Sequence, residues 1–150
     1  MSLNTPRDFF VDTNVLFSAF YGSANSEVVL RAHEFGQARL VVSQEVLGEL
    51  IRNTNKKIPQ AIPVLEKFLR TNPPKLVKDS IVTEAKIKNF VHPKDQKIFQ
   101  SAVDAKADFF VTGNIKHFKT KDLHKYFEIR ILSPKEAADK LTSKHSGDLF

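Results

Sequence analysis

Two short apolar runs of identical sequence, Phe-Phe-Val at residues 9–11 and again at residues 109–111, are each followed by a polar segment. Runs this short and this apolar are typical of strands that are buried on both faces of a parallel sheet. Asp-Thr-Asn follows the first run at residues 12–14, and Thr-Gly-Asn follows the second at residues 112–114. Because open α/β sheets bind ligands where their strands end, both polar segments are predicted to face one cleft.

Predicted strands and helices alternate along the rest of the chain. Further strands are predicted at residues 39–42 and 129–132, and helices at residues 26–35, 43–53, 58–69, 92–103 and 134–141. Residues 75–91 mix the strand and helix periods and receive no assignment. The alternation predicts an α/β fold, a three-layer α/β/α sandwich with a mainly parallel central sheet.

The chain has 150 residues, which fits one domain with its own core. We expect a single domain over residues 1–150, with an ordered core at residues 8–141 and a polar C-terminal tail at residues 142–150. The absence of cysteine excludes disulfides, thiolate metal sites and cysteine nucleophiles. No apolar run approaches the roughly 20 residues that span a bilayer, and the N-terminus lacks a signal-peptide pattern, so a cytoplasmic protein without membrane contact is expected.

Charge is distributed unevenly along the sequence. Residues 1–50 hold three Lys or Arg against six Asp or Glu, whereas residues 51–150 hold twenty against eleven. An acidic site in a basic body suits a polyanion that lysines attract and that metal-bound carboxylates then process. The simpler interpretation, that the lysines only solubilise the surface, stays open because net charge identifies no partner.

Three acidic residues are candidate ligands for a hard cation such as Mg²⁺ or Mn²⁺, which prefers oxygen ligands. They are Asp12 after the first strand, Glu49 on the helix that follows the second strand, and Asp95 where a later helix opens. Each has an ordinary alternative role, as a turn residue, an exposed helix acid or an acid at a helix N-terminus. Asp104 points to the opposite helix face from Asp95, and Asp108 begins its strand at the far end, so neither is expected to join the site.

Four short motifs occur in a fixed order along the chain. They are residues 10–15 (FVDTNV), residues 43–50 (SQEVLGEL), Asp95 with Ile98 and Ala102, and residues 107–114 (ADFFVTGN). In order and spacing they resemble the PIN-domain nucleases, a family that includes the VapC-type ribonuclease toxins of prokaryotic toxin–antitoxin pairs. The segment at residues 112–118 further resembles a TGN-x-x-HF ending that occurs in some subgroups.

The resemblance implies a PIN-like sandwich that uses Mg²⁺ or Mn²⁺ to hydrolyse phosphodiester bonds in RNA. Asp12, Glu49 and Asp95 match the acidic metal positions of the family. The fourth catalytic position, often Asp in the family, is Asn114, which removes one charge from the site. The resemblance also implies two partners to be tested, an antitoxin protein and a second copy of the chain.

Several polar and basic side chains near these motifs are predicted to contact the substrate: Thr13, Asn14, Arg52, Thr112, Lys116 and His117. Hydroxyl and amide groups can hydrogen-bond near the metal or phosphate, and Lys and His⁺ contact phosphates. Arg52 lies three residues beyond Glu49 on nearly the same helix face, although a solvated basic turn is the simpler explanation. Two further alternatives stay open. Thr112 can serve only to hydrogen-bond within its turn, and His117 can be an ordinary loop residue.

The other four histidines, His33, His92, His124 and His145, show no metal-ligand spacing with one another, so no zinc site is expected. The arrangement leaves three functions open. The leading one is a metal-dependent ribonuclease. The second is a nucleic-acid- or protein-binding module that has lost efficient chemistry. The third, an aspartyl-phosphate phosphotransferase, ranks last because Asn14 stands where a second acid is expected.

Overall fold

The computed structural model describes residues 5–143 and contains a five-stranded sheet with the order β3-β2-β1-β4-β5. All four strand pairs are parallel, which confirms the predicted α/β class and its mainly parallel sheet. The strands are β1 (Arg7–Val11), β2 (Ala38–Ser43), β3 (Lys75–Val77), β4 (Phe109–Val111) and β5 (Arg130–Leu132). The helices are α1 (Thr13–Ala19), α2 (Ala24–Glu34), α3 (Gln44–Lys57), α4 (Ile62–Thr71), α5 (Ala85–Phe90), α6 (Gln96–Asp104), α7 (Thr120–Phe127) and α8 (Pro134–Thr142).

The two Phe-Phe-Val runs form adjacent strands in matched register. Phe9 pairs with Phe109 and Phe10 with Phe110, and the ring centroids of these pairs lie 4.6 Å and 5.7 Å apart. Successive side chains of a strand point to opposite faces, and every residue of both runs is buried. The sheet is therefore covered on both faces, and the register brings the two polar segments to the same edge.

Two groups of helices supply this cover. In the first group α1 packs against α2 and α3, and α2 packs against α8. In the second group α5 packs against α6 and α7. Because neither face of β1 or β4 is open to solvent, the two groups form the outer layers of the sandwich.

Some elements differ from the sequence-based prediction. The structure adds α1, α5, α7 and the short edge strand β3, and it divides the helix predicted at residues 58–69 into a 3₁₀ turn (Pro59–Ala61) and α4. The helix predicted at residues 92–103 likewise begins with a 3₁₀ turn (Pro93–Asp95) before α6. Most of the predicted polar tail, residues 144–150, lies outside the described residues. Over residues 5–143, none of the helices has the length and apolar character needed to cross a membrane.

Candidate active site

The polar segments after β1 and β4 are joined directly by hydrogen bonds. Asp12 caps α1, since its Oδ1 accepts a hydrogen bond from the Val15 amide at 3.0 Å. The Asp12 amide donates to the Val111 carbonyl at 3.2 Å, which holds the two strand ends together. The buried Thr112 hydroxyl accepts from the Asn114 amide at 3.0 Å and hydrogen-bonds the Asp12 carboxyl. Asp12 and Asn114 are therefore positioned through one shared hydroxyl.

A cleft of about 180 Å³ opens at this edge of the sheet. It gathers side chains from four places: the β1–α1 junction, α3, the start of α6, and the segment after β4. The lining residues are Asp12, Thr13, Asn14, Glu45, Glu49, Lys94, Asp95, Lys97, Ile98 and Asn114. The structure thus brings together the four predicted catalytic positions, Asp12, Glu49, Asp95 and Asn114.

The Asp12 carboxyl lies in an unfavourable environment for its charge. Burial raises the pKa of Asp12 above its ordinary value of 3.8, and the negative charge of Asp95 raises it further. Hydrogen bonds from Val15, Thr112 and Asn14 lower this pKa, but desolvation is the largest of these effects. A poorly solvated carboxylate beside another carboxylate is a group that a bound cation stabilises.

The donor atoms of the cleft suit a hard divalent cation. Asp12, Glu49 and Asp95 offer carboxylate oxygens and Asn114 offers an amide oxygen. Within residues 5–143 the buried Thr13 hydroxyl finds no hydrogen-bond partner, so it is an additional oxygen beside these acids. The types of donor atom present therefore fit Mg²⁺ or Mn²⁺.

Three charged lining residues were not predicted from the sequence. Glu45 lies one helical turn before Glu49 on α3, and this i, i+4 spacing was the available signal for it. Lys97 forms an ion pair with Glu45, with 3.3 Å between its Nζ and Glu45 Oε1. Lys94 completes the basic rim of the cleft. An acidic floor and a basic rim are thus combined in one small site.

The predicted substrate-binding residues divide into four groups. Thr13 and Asn14 line the cleft itself. Thr112 is buried behind it, with its hydroxyl used for Asp12 and Asn114. Arg52 is exposed and does not line the cleft. Its side chain folds back along α3, where a Cβ atom at position 48 would lie 3.3 Å from the Arg52 guanidinium.

Lys116 and His117 line an adjoining depression of about 300 Å³. The His117 ring adjoins the cleft through Asp95, with 2.8 Å between Nδ1 and Asp95 Oδ2. The ring of His92 stacks on that of His117, with centroids 4.6 Å apart. Spacing in the sequence offered His92 no partner among His33, His124 and His145, and the fold brings it instead to Asp95 and His117.

Comparisons with known proteins agree with this architecture. A family model described as "PIN domain" matches residues 8–116. Among solved structures, the chain is similar to one in the crystal structure of VapBC2 from Rickettsia felis bound to a DNA fragment from their promoter. That match has 19% sequence identity and a TM-score of 0.54, and it covers 84% of this chain and 98% of the other. Comparison with curated proteins gives no match.

Proposed function

Because the chain belongs to the PIN domain family, we propose that it is an endoribonuclease that depends on Mg²⁺ or Mn²⁺. The observation that carries the proposal is the convergence of Asp12, Glu49 and Asp95 with Asn114 in one cleft. These groups come from separate parts of the chain. Asp12 keeps a buried carboxylate there although burial opposes its charge.

The chemistry follows from the positions of the side chains. Asp12, Glu49 and Asp95 would hold the cation, which when bound activates water and stabilises charge on the scissile phosphate. A carboxylate of this group, Asp95 or Asp12, would accept the proton from the attacking water. Lys94 and Lys97 on the rim attract the RNA backbone.

We further propose that the protein is the toxin of a prokaryotic toxin–antitoxin pair and belongs to the TGN-x-x-HF subgroup. The similarity to a chain of the VapBC2 complex supports this assignment at the level of the fold. The proposal includes an antitoxin protein as partner, a homodimer of this chain and a cytoplasmic location. It also treats residues 1–150 as one PIN-like domain.

The direct test is cleavage of a mixed RNA pool by the purified full chain with Mn²⁺, Mg²⁺ or EDTA. We expect cleavage with either metal, none with EDTA, and none from Asp12→Ala under any condition. Glu66→Ala is the matched control, because it removes an exposed carboxylate on α4 outside the cleft and should cleave like the wild type. Cleavage that survives in Asp12→Ala, or that EDTA does not stop, would contradict the proposed site.

A second function is favoured by one observation, the amide of Asn114 where the family often has a carboxylate. On this alternative the cleft binds RNA or a protein without efficient turnover. It predicts salt-sensitive RNA binding and no products with Mn²⁺. Gain of cleavage in Asn114→Asp would then identify the missing carboxylate as the cause, whereas cleavage by the wild type excludes this alternative.

A further inference from the structure

A second group of potential metal ligands lies beside the candidate active site. His92, Asp95 and His117 each offer one ligand atom, and these three atoms all lie within 4.8 Å of one another. His117 Nδ1 is 2.8 Å from Asp95 Oδ2, and the planes of the two imidazoles are inclined by only 22°. The group occurs where the depression lined by His92 and His117 adjoins the acidic cleft.

Backbone hydrogen bonds place these three residues beside one another. The His92 amide donates to the His117 carbonyl at 2.9 Å, and Val91 and Phe118 form an antiparallel bridge. The Asp95 amide donates to the His92 carbonyl at 2.9 Å, which closes the 3₁₀ turn. A cation that binds here therefore meets residues whose backbone is already ordered, and the exposed His92 ring turns out of its stack on His117 so that both imidazole nitrogens reach the ion.

We propose that His92, Asp95 and His117 form a site for a borderline transition-metal cation, with Zn²⁺ as the representative ion. Two imidazoles and one carboxylate are the donors that such cations prefer, and a water completes a site of this kind. The adjoining cleft offers only oxygen donors, which suit Mg²⁺ or Mn²⁺ instead. The chain has no cysteine, so no thiolate competes for the ion.

Asp95 belongs to both groups, and this sharing has a functional consequence that rests on the proposed nuclease activity. When Asp95 and the two histidines hold Zn²⁺, the cleft loses the full use of one of its three carboxylates. Binding at the histidine site then opposes binding of Mg²⁺ or Mn²⁺ in the cleft. The site acts as an inhibitory metal site of the nuclease.

The test measures metal binding separately from RNA cleavage. Zn²⁺ affinity of the full chain is obtained by competition with a chromophoric chelator, and Co²⁺ absorption reports coordination by nitrogen ligands. The informative variant is His92→Asn, because the Asn side chain retains an acceptor for the Lys94 amide that His92 Nδ1 now binds at 3.2 Å. His124→Asn is the matched control, since His124 is exposed on α7 outside the group.

We expect one Zn²⁺ per chain, bound at least tenfold more weakly by His92→Asn and equally well by His124→Asn. His117→Asn should lose binding in the same way. In Mn²⁺-driven cleavage, Zn²⁺ should inhibit the wild type at concentrations at least tenfold lower than those needed for His92→Asn. Equal Zn²⁺ affinity in wild type and His92→Asn, or no binding by the wild type, overturns the site.

The two proposals can fail separately. Zn²⁺ binding that depends on His92, in a protein that cleaves no RNA, would retain the histidine site and remove the nuclease. Zn²⁺ binding that depends on His92 but leaves cleavage unaffected would overturn the inhibitory role that we assign to the shared Asp95.

Discussion

Replacement of Asp12 by Asn should stabilise the metal-free protein while it removes metal-dependent activity. The folded-state pKa of Asp12 is raised, so the folded chain holds this proton more tightly than the unfolded chain does. The resulting stabilisation is complete below pH 3.8 and is lost as the pH rises through the raised folded value. At neutral pH the ionised carboxylate therefore opposes folding, and an amide at this position removes that cost.

The stability gained by removing the ionised Asp12 carboxylate can be separated from the stability lost with the helix cap. Asp12 accepts the Val15 amide at the start of α1, and Asn accepts there equally well, whereas Ala cannot. Loss of the cap costs about 1 kcal/mol. For a chain of this length that corresponds to a Tm roughly 2–4 °C lower for Asp12→Ala than for Asp12→Asn. A Mn²⁺ concentration of 100 times the Kd raises the free energy of unfolding of the wild type by about 2.7 kcal/mol. This corresponds to a Tm that is roughly 5–11 °C higher.

Thermal unfolding of the wild type, Asp12→Asn and Asp12→Ala in EDTA and in Mn²⁺ tests these values. In EDTA at neutral pH the Tm of Asp12→Asn should equal or exceed that of the wild type, and its advantage should shrink as the pH falls towards 4. In Mn²⁺ the order reverses, because only the wild type gains stability. Glu66→Gln, an equivalent change on α4, should follow the wild type throughout. If Asp12→Asn is less stable than the wild type in EDTA at neutral pH, the burial argument is refuted.

Two other predictions concern the core and the rim of the cleft. Phe110→Ala should lower the free energy of unfolding by about 3–5 kcal/mol in urea titrations, because the ring is fully buried against Phe10 and Phe99. A loss below about 1 kcal/mol would contradict this packing. Lys97→Met should weaken RNA binding and make the slope of the logarithm of the binding constant against log salt concentration shallower by about 0.7. Lys67→Met, at an exposed position on α4, should leave this slope unchanged.

The central part of the fold could be predicted from the sequence because it depends on local patterns that repeat. The Phe-Phe-Val runs at residues 9–11 and 109–111 indicate buried strands, and the structure pairs them in register. The capping box at Ser133 and Glu136 likewise marks the start of α8. With the strands in place, Asp12 and Asn114 must lie at the same edge of the sheet.

The elements that were missed have weak local signals. β3 has three residues, none of them fully buried, and pairs only with β2, so its short sequence shows no clear strand period. α1 begins directly after a strand and has seven residues, which is too short for a periodic pattern to stand out. In both cases tertiary contacts rather than intrinsic preference determine the structure.

The contact between His92 and His117 shows why part of the site lies beyond local sequence patterns. Each histidine is unremarkable in its own segment, and only the antiparallel bridge between Val91 and Phe118 brings the two rings together. Asp95, which lies on the turn next to this bridge, then faces both an oxygen-rich cleft and a pair of imidazoles. The two proposed metal sites share this carboxylate, and the sharing arises from the tertiary fold rather than from any single motif.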